Sequence, residues 1–327
     1  MPRWLSHPVM RWLITALLLG IVITSLDSKT IVSQLAMIDP AFWVAALAVT
    51  IVQVGLSAWR WRYTALRLNL ELPFSKAVSE YYLATFINQV LPGGVLGDVN
   101  RALRHGTDAN ARTSALHAVM IERLSGQLAL TLVTGILLVA FWPFADVSAG
   151  LVSRTVSTSA SLPVLILAVL ILVAAGMVYR RPLARFAGHG AKALRLSLFN
   201  RSSVLIQLVS SVLVVATYLA VFAILAQGQD LRASPGATME LHHLLPLSAG
   251  LLLAMMLPVT IAGWGVREGA AALLWPLAGL PAEQGVALSV AYGLLVLVSS
   301  LPGAGVLIAG ASRVGQSSDQ TTYPNQG

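Results

Sequence analysis

The 327-residue chain has no cysteine. Disulfides, thiolate metal sites and cysteine nucleophiles are thereby excluded. It is also poor in charge: Asp, Glu, Lys and Arg make up 10% of the residues, against roughly a quarter in an ordinary soluble domain. Acidic residues are the scarcer kind, 13 against 21 Lys and Arg. No G-x-x-x-x-G-K-[ST] loop is present, so nucleotide hydrolysis through that phosphate cradle is not expected, and any driving force has to be a gradient or downhill transfer. The six histidines (His7, His105, His117, His189, His242 and His243) lack metal-ligand spacing. On a helix the adjacent His242 and His243 diverge by about 100°, which suits an interface better than a metal. Asp, Glu and His form no grouped constellation. The expectation is no metal, no cofactor, no catalytic residue and no enzyme.

What the chain does have is apolar sequence, 57% of its residues at a mean hydropathy of +0.78. The fold class expected is all-α: a polytopic membrane helix bundle with re-entrant or broken helices. A span takes about 20 residues, so residues 1–313 read as a single integral membrane domain with no sizeable soluble part. The expected spans are 12–26, 41–59, 114–142, 162–179, 203–226 and 285–311, with a re-entrant segment at 77–101, a broken one at 243–280 and a polar cytoplasmic tail at 314–327. The first apolar stretch has no clear A-x-A cleavage signal and reads as an uncleaved span.

Basic residues sit between the apolar segments, so they report topology rather than nucleic-acid binding. Arg3 and Arg11, then Arg60, Arg62, Arg67 and Lys76, then Arg180 to Arg201, fall on one side, and Lys29, Arg154 and Arg232 on the other. Both termini are therefore expected in the cytoplasm. Residues 60–76, next to Trp59, mix Trp61, Tyr63 and leucines with arginines, which fits either a headgroup-level helix or a plain loop.

Two stretches are out of place in this apolar background. Leu91-Pro92-Gly93-Gly94-Val95-Leu96-Gly97-Asp98-Val99-Asn100-Arg101 has a Gly five residues after its Pro and an Arg nine after it. Leu257-Pro258-Val259-Thr260-Ile261-Ala262-Gly263-Trp264-Gly265-Val266-Arg267-Glu268 repeats that spacing. In hydrocarbon an unpaired backbone group costs several kcal/mol, so such breaks belong where they line a cavity or are covered by protein. An Arg at that depth costs at least ~2.5 kcal/mol, which marks a functional site. Two interrupted helices in two halves of a membrane chain point to a transport site, and entry from opposite sides would make them an inverted pair. The glycines let backbone approach a ligand, and each restarted helix aims its positive end at the break. With Arg101 and Arg267 this reads as two anion sites, a phosphate being the natural anion.

Asp98 and Arg101 are spaced to pair on one helical face. Glu122 and Arg123, like Arg267 and Glu268, are adjacent and are expected to project apart and to seek partners elsewhere, for example Glu122 with Arg267 or Arg101. Whether these charges bind substrate or only lock helices stays open. A third break, Ser299-Ser300-Leu301-Pro302-Gly303-Ala304-Gly305, reads as close helix packing.

The set Leu91-Pro92-Gly93-Gly94-x-x-Gly97-Asp98-x-x-Arg101, Glu122-Arg123-x-x-Gly126 and Pro258-x-x-x-x-Gly263-x-Gly265-Val266-Arg267-Glu268-Gly269 resembles the flippase-like family that shares the membrane part of lysylphosphatidylglycerol synthase. That resemblance implies a multi-pass protein of the bacterial inner membrane that moves a lipid or lipid-linked headgroup between leaflets. No aminoacyl-transfer domain follows the last span, so lysyl transfer is not implied. On this reading the substrate-binding candidates are Pro92, Gly93, Gly94, Gly97, Asp98, Arg101, Glu122, Arg123, Pro258, Gly263, Gly265, Arg267 and Glu268. Arg101 and Arg267 take the phosphate, and Asp98, Glu122 and Glu268 are counter-charges. The expected partners are membrane lipids with an anionic headgroup, not nucleic acid; a homo-oligomer or a partner lipid-modifying enzyme stays open. The competing reading is a secondary transporter of a small solute or ion using the same cavity.

Overall fold

The computed structural model describes residues 8–92, 94–108, 111–141, 201–233, 239–257 and 259–309. These residues form helices and no strands. In chain order they are α1 (Pro8–Ser25), α2 (Ser28–Met37), α3 (Pro40–Arg67), α4 (Phe74–Val90), α5 (Leu96–Asp108), α6 (Arg112–Ala140), α7 (Arg201–Ala233), α8 (Leu241–Ala254), α9 (Val266–Leu277) and α10 (Ala282–Ser300). Four are long and apolar enough to cross a membrane: α3, α6, most of α7, and α10 with its continuation to Ala309. The bent pair α1 and α2 is a fifth candidate. The expected span at 162–179, the basic run from Arg180 to Asn200 and the tail at 314–327 lie outside the described residues.

Two expectations about the first third are corrected. The short link expected between the spans at 12–26 and 41–59, with Asp27, Lys29 and Asp39, is the helix α2, set at 94° to α1. Local chemistry explains it: Asp27 caps α2 by accepting from the Lys29 amide (3.0 Å) and the Thr30 hydroxyl (2.7 Å). Asp39 then caps α3 ahead of Pro40 at its first position, a favoured start. The second correction concerns residues 60–67, read as loop or headgroup-level helix, which continue α3 instead. At 28 residues and about 1.5 Å each, α3 is longer than the hydrocarbon core. Its last two turns therefore pack among α4, α5 and α6, and Trp61 and Ala65 are wholly buried.

Lipid is as apolar as leucine, so helices in it are held by close packing and polar contacts rather than by expulsion of water. Both devices are present. One cluster, around Ala58, Trp61, Ala77, Ala102, Ala115 and Ala118, joins α3 to α6 through small side chains. A larger one, around Phe222, Leu251, Trp275 and Leu288, joins α7 to α10. The two broken stretches become the turns of two helical hairpins, α4–α5 and α8–α9. In the first, Gly97 lies directly on the backbone of Ala84, where any side chain would strike the carbonyl. Gly303, in the third break, likewise lies on the backbone of Tyr82, as the packing reading expects.

Candidate functional site

A cavity of about 330 Å³ opens between the hairpins, bordered by residues of α3, α4, α6, α7 and α10 and by both turns. Gly94, Val95 and Asp98 come from the first hairpin, and Met255, Thr260, Ala262 and Gly263 from the second. Two segments some 165 residues apart in sequence thus share one chamber. Polar residues reach it because they recur on one helical face. Gln53, Ser57 and Arg60 do so on α3, Tyr81, Thr85 and Asn88 on α4, and Ser211 and Tyr218 on α7.

On the first-hairpin side lies a continuous ionic network. Glu122 on α6 receives Arg101 on one oxygen at 2.7 Å and Arg60 on the other in a close ion pair. Arg101 also donates to Asp98 at 2.8 and 3.1 Å, the pairing expected from their spacing. Arg123 reaches the second oxygen of Asp98 at 2.6 Å and the Gly94 carbonyl at 3.2 and 3.3 Å, which ties α6 to the turn. Arg60 further donates to Ser211 on α7 at 3.1 Å. Among the described residues, three guanidiniums against two carboxylates leave one net positive charge. A buried ion is tolerated only when its partners satisfy it, and Arg60, Arg101 and Glu122 are at most 4% exposed. Arg101 is in addition held between the rings of Trp61 and Tyr81, 4.7 and 4.6 Å from their centres, a stabilising cation–π arrangement.

The second hairpin carries a smaller, closed arrangement. Arg267 donates to Glu268 at 2.7 and 3.1 Å and to Ser289 of α10 at 2.8 Å, and Ser289 donates to Glu268 at 3.0 Å. Trp264 and Tyr292 flank the guanidinium at 5.0 and 5.4 Å. The expectation that these neighbours project apart is therefore corrected. Glu268 is three residues into α9 and folds back to accept from the Gly265 amide at 2.7 Å, as acidic residues at that position do. The fold-back brings its other oxygen to Arg267. Glu122 and Arg123 do project apart, each to its own partners. Of the two cross-pairings suggested for Glu122, the one with Arg101 is present, whereas Arg267 pairs with Glu268.

The placement of the cations also differs from expectation. Arg101 and Arg267 stand behind the cavity wall; Arg60 and Arg123 border it. The helix starts are taken as well. Asn88 accepts from the Gly97 amide at 2.8 Å and Glu268 accepts from the Gly265 amide, so a side chain already takes one amide at each helix start. The turns do require left-handed backbone: Gly94, Gly263 and Gly265 have φ of 61°, 81° and 86°, and Ala262 has 51°. Gly93 and Pro258 lie outside the described residues, and Pro92 stands in the first turn. Arg60, Asn88, Ser211 and Ser289 were missed by sequence reasoning. The Gln53, Ser57, Arg60 spacing on an apolar helix was the available signal.

Paired broken hairpins around a cationic chamber, in a chain whose long helices are apolar, define a multi-pass membrane protein with an internal polar site. The family described as "Lysylphosphatidylglycerol synthase TM region" matches residues 9–303, and the chain belongs to that family. No curated protein matches it closely enough to be called a relative.

Proposed function

We propose that this protein carries a lipid between leaflets by its anionic headgroup, without chemical change, and is not an enzyme. One observation carries the reading: the turns of both hairpins border one chamber whose ionic network has a net positive charge. Anionic headgroups find there a cation already held in place, and Arg123, 31% exposed at its side chain, is the guanidinium best able to turn from Asp98 to a phosphate. The family resemblance implies a bacterial inner-membrane location, and the distribution of Lys and Arg supports both termini in the cytoplasm, and with it a first hairpin that enters and returns on the cytoplasmic side.

The test is reconstitution into vesicles carrying fluorescent phosphatidylglycerol, with bleaching of the outer leaflet by dithionite. Wild-type protein should expose inner-leaflet lipid. Arg123→Ala should slow this by about tenfold or more, the worth of one charge-assisted hydrogen bond, with an unchanged gel-filtration profile. Solute uptake without lipid movement would assign the chamber to a solute transporter, and release of phosphate would assign it to an enzyme.

A further inference from the structure

The chamber is not uniform. Among the described residues, the four charged ones on its wall, Arg60, Asp98, Glu122 and Arg123, come from α3, the first hairpin and α6. The second hairpin and α10 bring none: their share is Thr260, Tyr292 and Ser299 among leucine, methionine and valine. The helices give this polarity a length. Arg60 of α3 bonds Ser211 of α7, and Gln53 of α3 meets Thr217 at 3.4 Å, so the two run antiparallel along the wall. From Arg60 to Gln53 is seven residues, about 10 Å at 1.5 Å per residue. A ligand lying here has its charge at one end and something uncharged at the other.

The neutral side is not wholly apolar. Thr260 is 2% exposed, and its hydroxyl has no partner among the described residues. Gln53 brings an amide, and Tyr218 and Tyr292 bring phenols. An acyl chain against Thr260 would leave its buried hydroxyl unsatisfied, at about 1–3 kcal/mol. A cationic group is disfavoured too, because Asp98 and Glu122 are already more than neutralised by three guanidiniums. Hydroxyl groups both donate and accept, which is what the Thr260 hydroxyl, the Gln53 amide and the tyrosine phenols can meet.

We propose that Gln53, Tyr218, Thr260, Tyr292 and Ser299 form a subsite for an uncharged, hydroxyl-rich group borne on the lipid phosphate, a polyol or sugar. The proposal rests on the lipid reading above and adds the class of headgroup. It is tested on the full chain with two lipids of equal charge, phosphatidylinositol and phosphatidylmethanol, which share the phosphodiester but differ in hydroxyls. Retention is read by native mass spectrometry and movement by the dithionite assay. Wild-type protein should retain and move the inositol lipid about tenfold better, and Thr260→Val and Gln53→Leu should each cut that ratio about fivefold, the worth of one hydrogen bond. Equal handling of the two lipids by wild-type protein overturns the subsite, as does a ratio that neither variant alters. Preferential retention without movement upholds the subsite and removes the transport reading; movement without preference does the reverse.

Discussion

The two hairpins solve one problem in two ways. Each places an Arg nine residues after a Pro, buries it to 1% exposure, and seats it between two aromatic rings beside a carboxylate. Around Arg267 the arrangement is closed within α9 and α10, because Glu268 and Ser289 satisfy it and Glu268 also caps the helix. Around Arg101 it is open: Glu122 is shared with Arg60 of α3, Asp98 with Arg123 of α6, and the two shared cations face the chamber. The difference teaches that a buried arginine at a helix break is not by itself a ligand site. The second is closed on itself, and the first shares its carboxylates with two cations on the chamber wall.

Glu122 should therefore be the most sensitive position. Glu122→Gln strands Arg60 and Arg101 together, and removing one partner of a buried pair costs about 3–5 kcal/mol. Thermal unfolding in detergent should show this as the largest loss of the series; a shift no greater than that of an exposed residue would mean water reaches the network.

The closed arrangement behaves differently. Arg267→Met or Glu268→Gln alone should each cost about 3 kcal/mol, whereas the double variant should cost less than the sum, since neither charge is then left alone. A double-mutant cycle in urea or by heat measures the coupling. Strict additivity would make the contact incidental and erase the contrast between the hairpins.

The turns themselves give the smallest effects, of opposite sign. Gly94 has φ of 61° with open space around it, so Gly94→Ala should cost about 1 kcal/mol through backbone strain alone. Ala262 sits at φ 51° without the freedom of glycine, so Ala262→Gly should gain about 0.5 kcal/mol. Shifts of the same sign would show that the two turns do not hold these conformations in the membrane.

Both breaks, their glycines and their arginines were legible because Pro, Gly and charge are conspicuous in apolar sequence. The network was less so. Arg60 follows an apolar run and carries other arginines behind it, which hides it as a flank until α3 is seen to continue past it to Arg67. Its partner Glu122 is 62 residues away, and no spacing rule reaches that far. The adjacency argument failed at Arg267 because it assumes a helix interior, while Glu268 is in a first turn with a free amide to fold back on. The helix α2 was missed for a simpler reason: at 10 residues it is short.

The cysteine-free chain allows a direct test that one chamber, bordered by both hairpins, holds the headgroup. Val95→Cys and Ala262→Cys, prepared separately, would be labelled with a small water-soluble thiol reagent in detergent as phosphatidylinositol is titrated in. The account predicts that both sites are protected over the same lipid concentrations, and that Arg123→Ala shifts both curves together. Protection of one cysteine alone, or of neither, would contradict it.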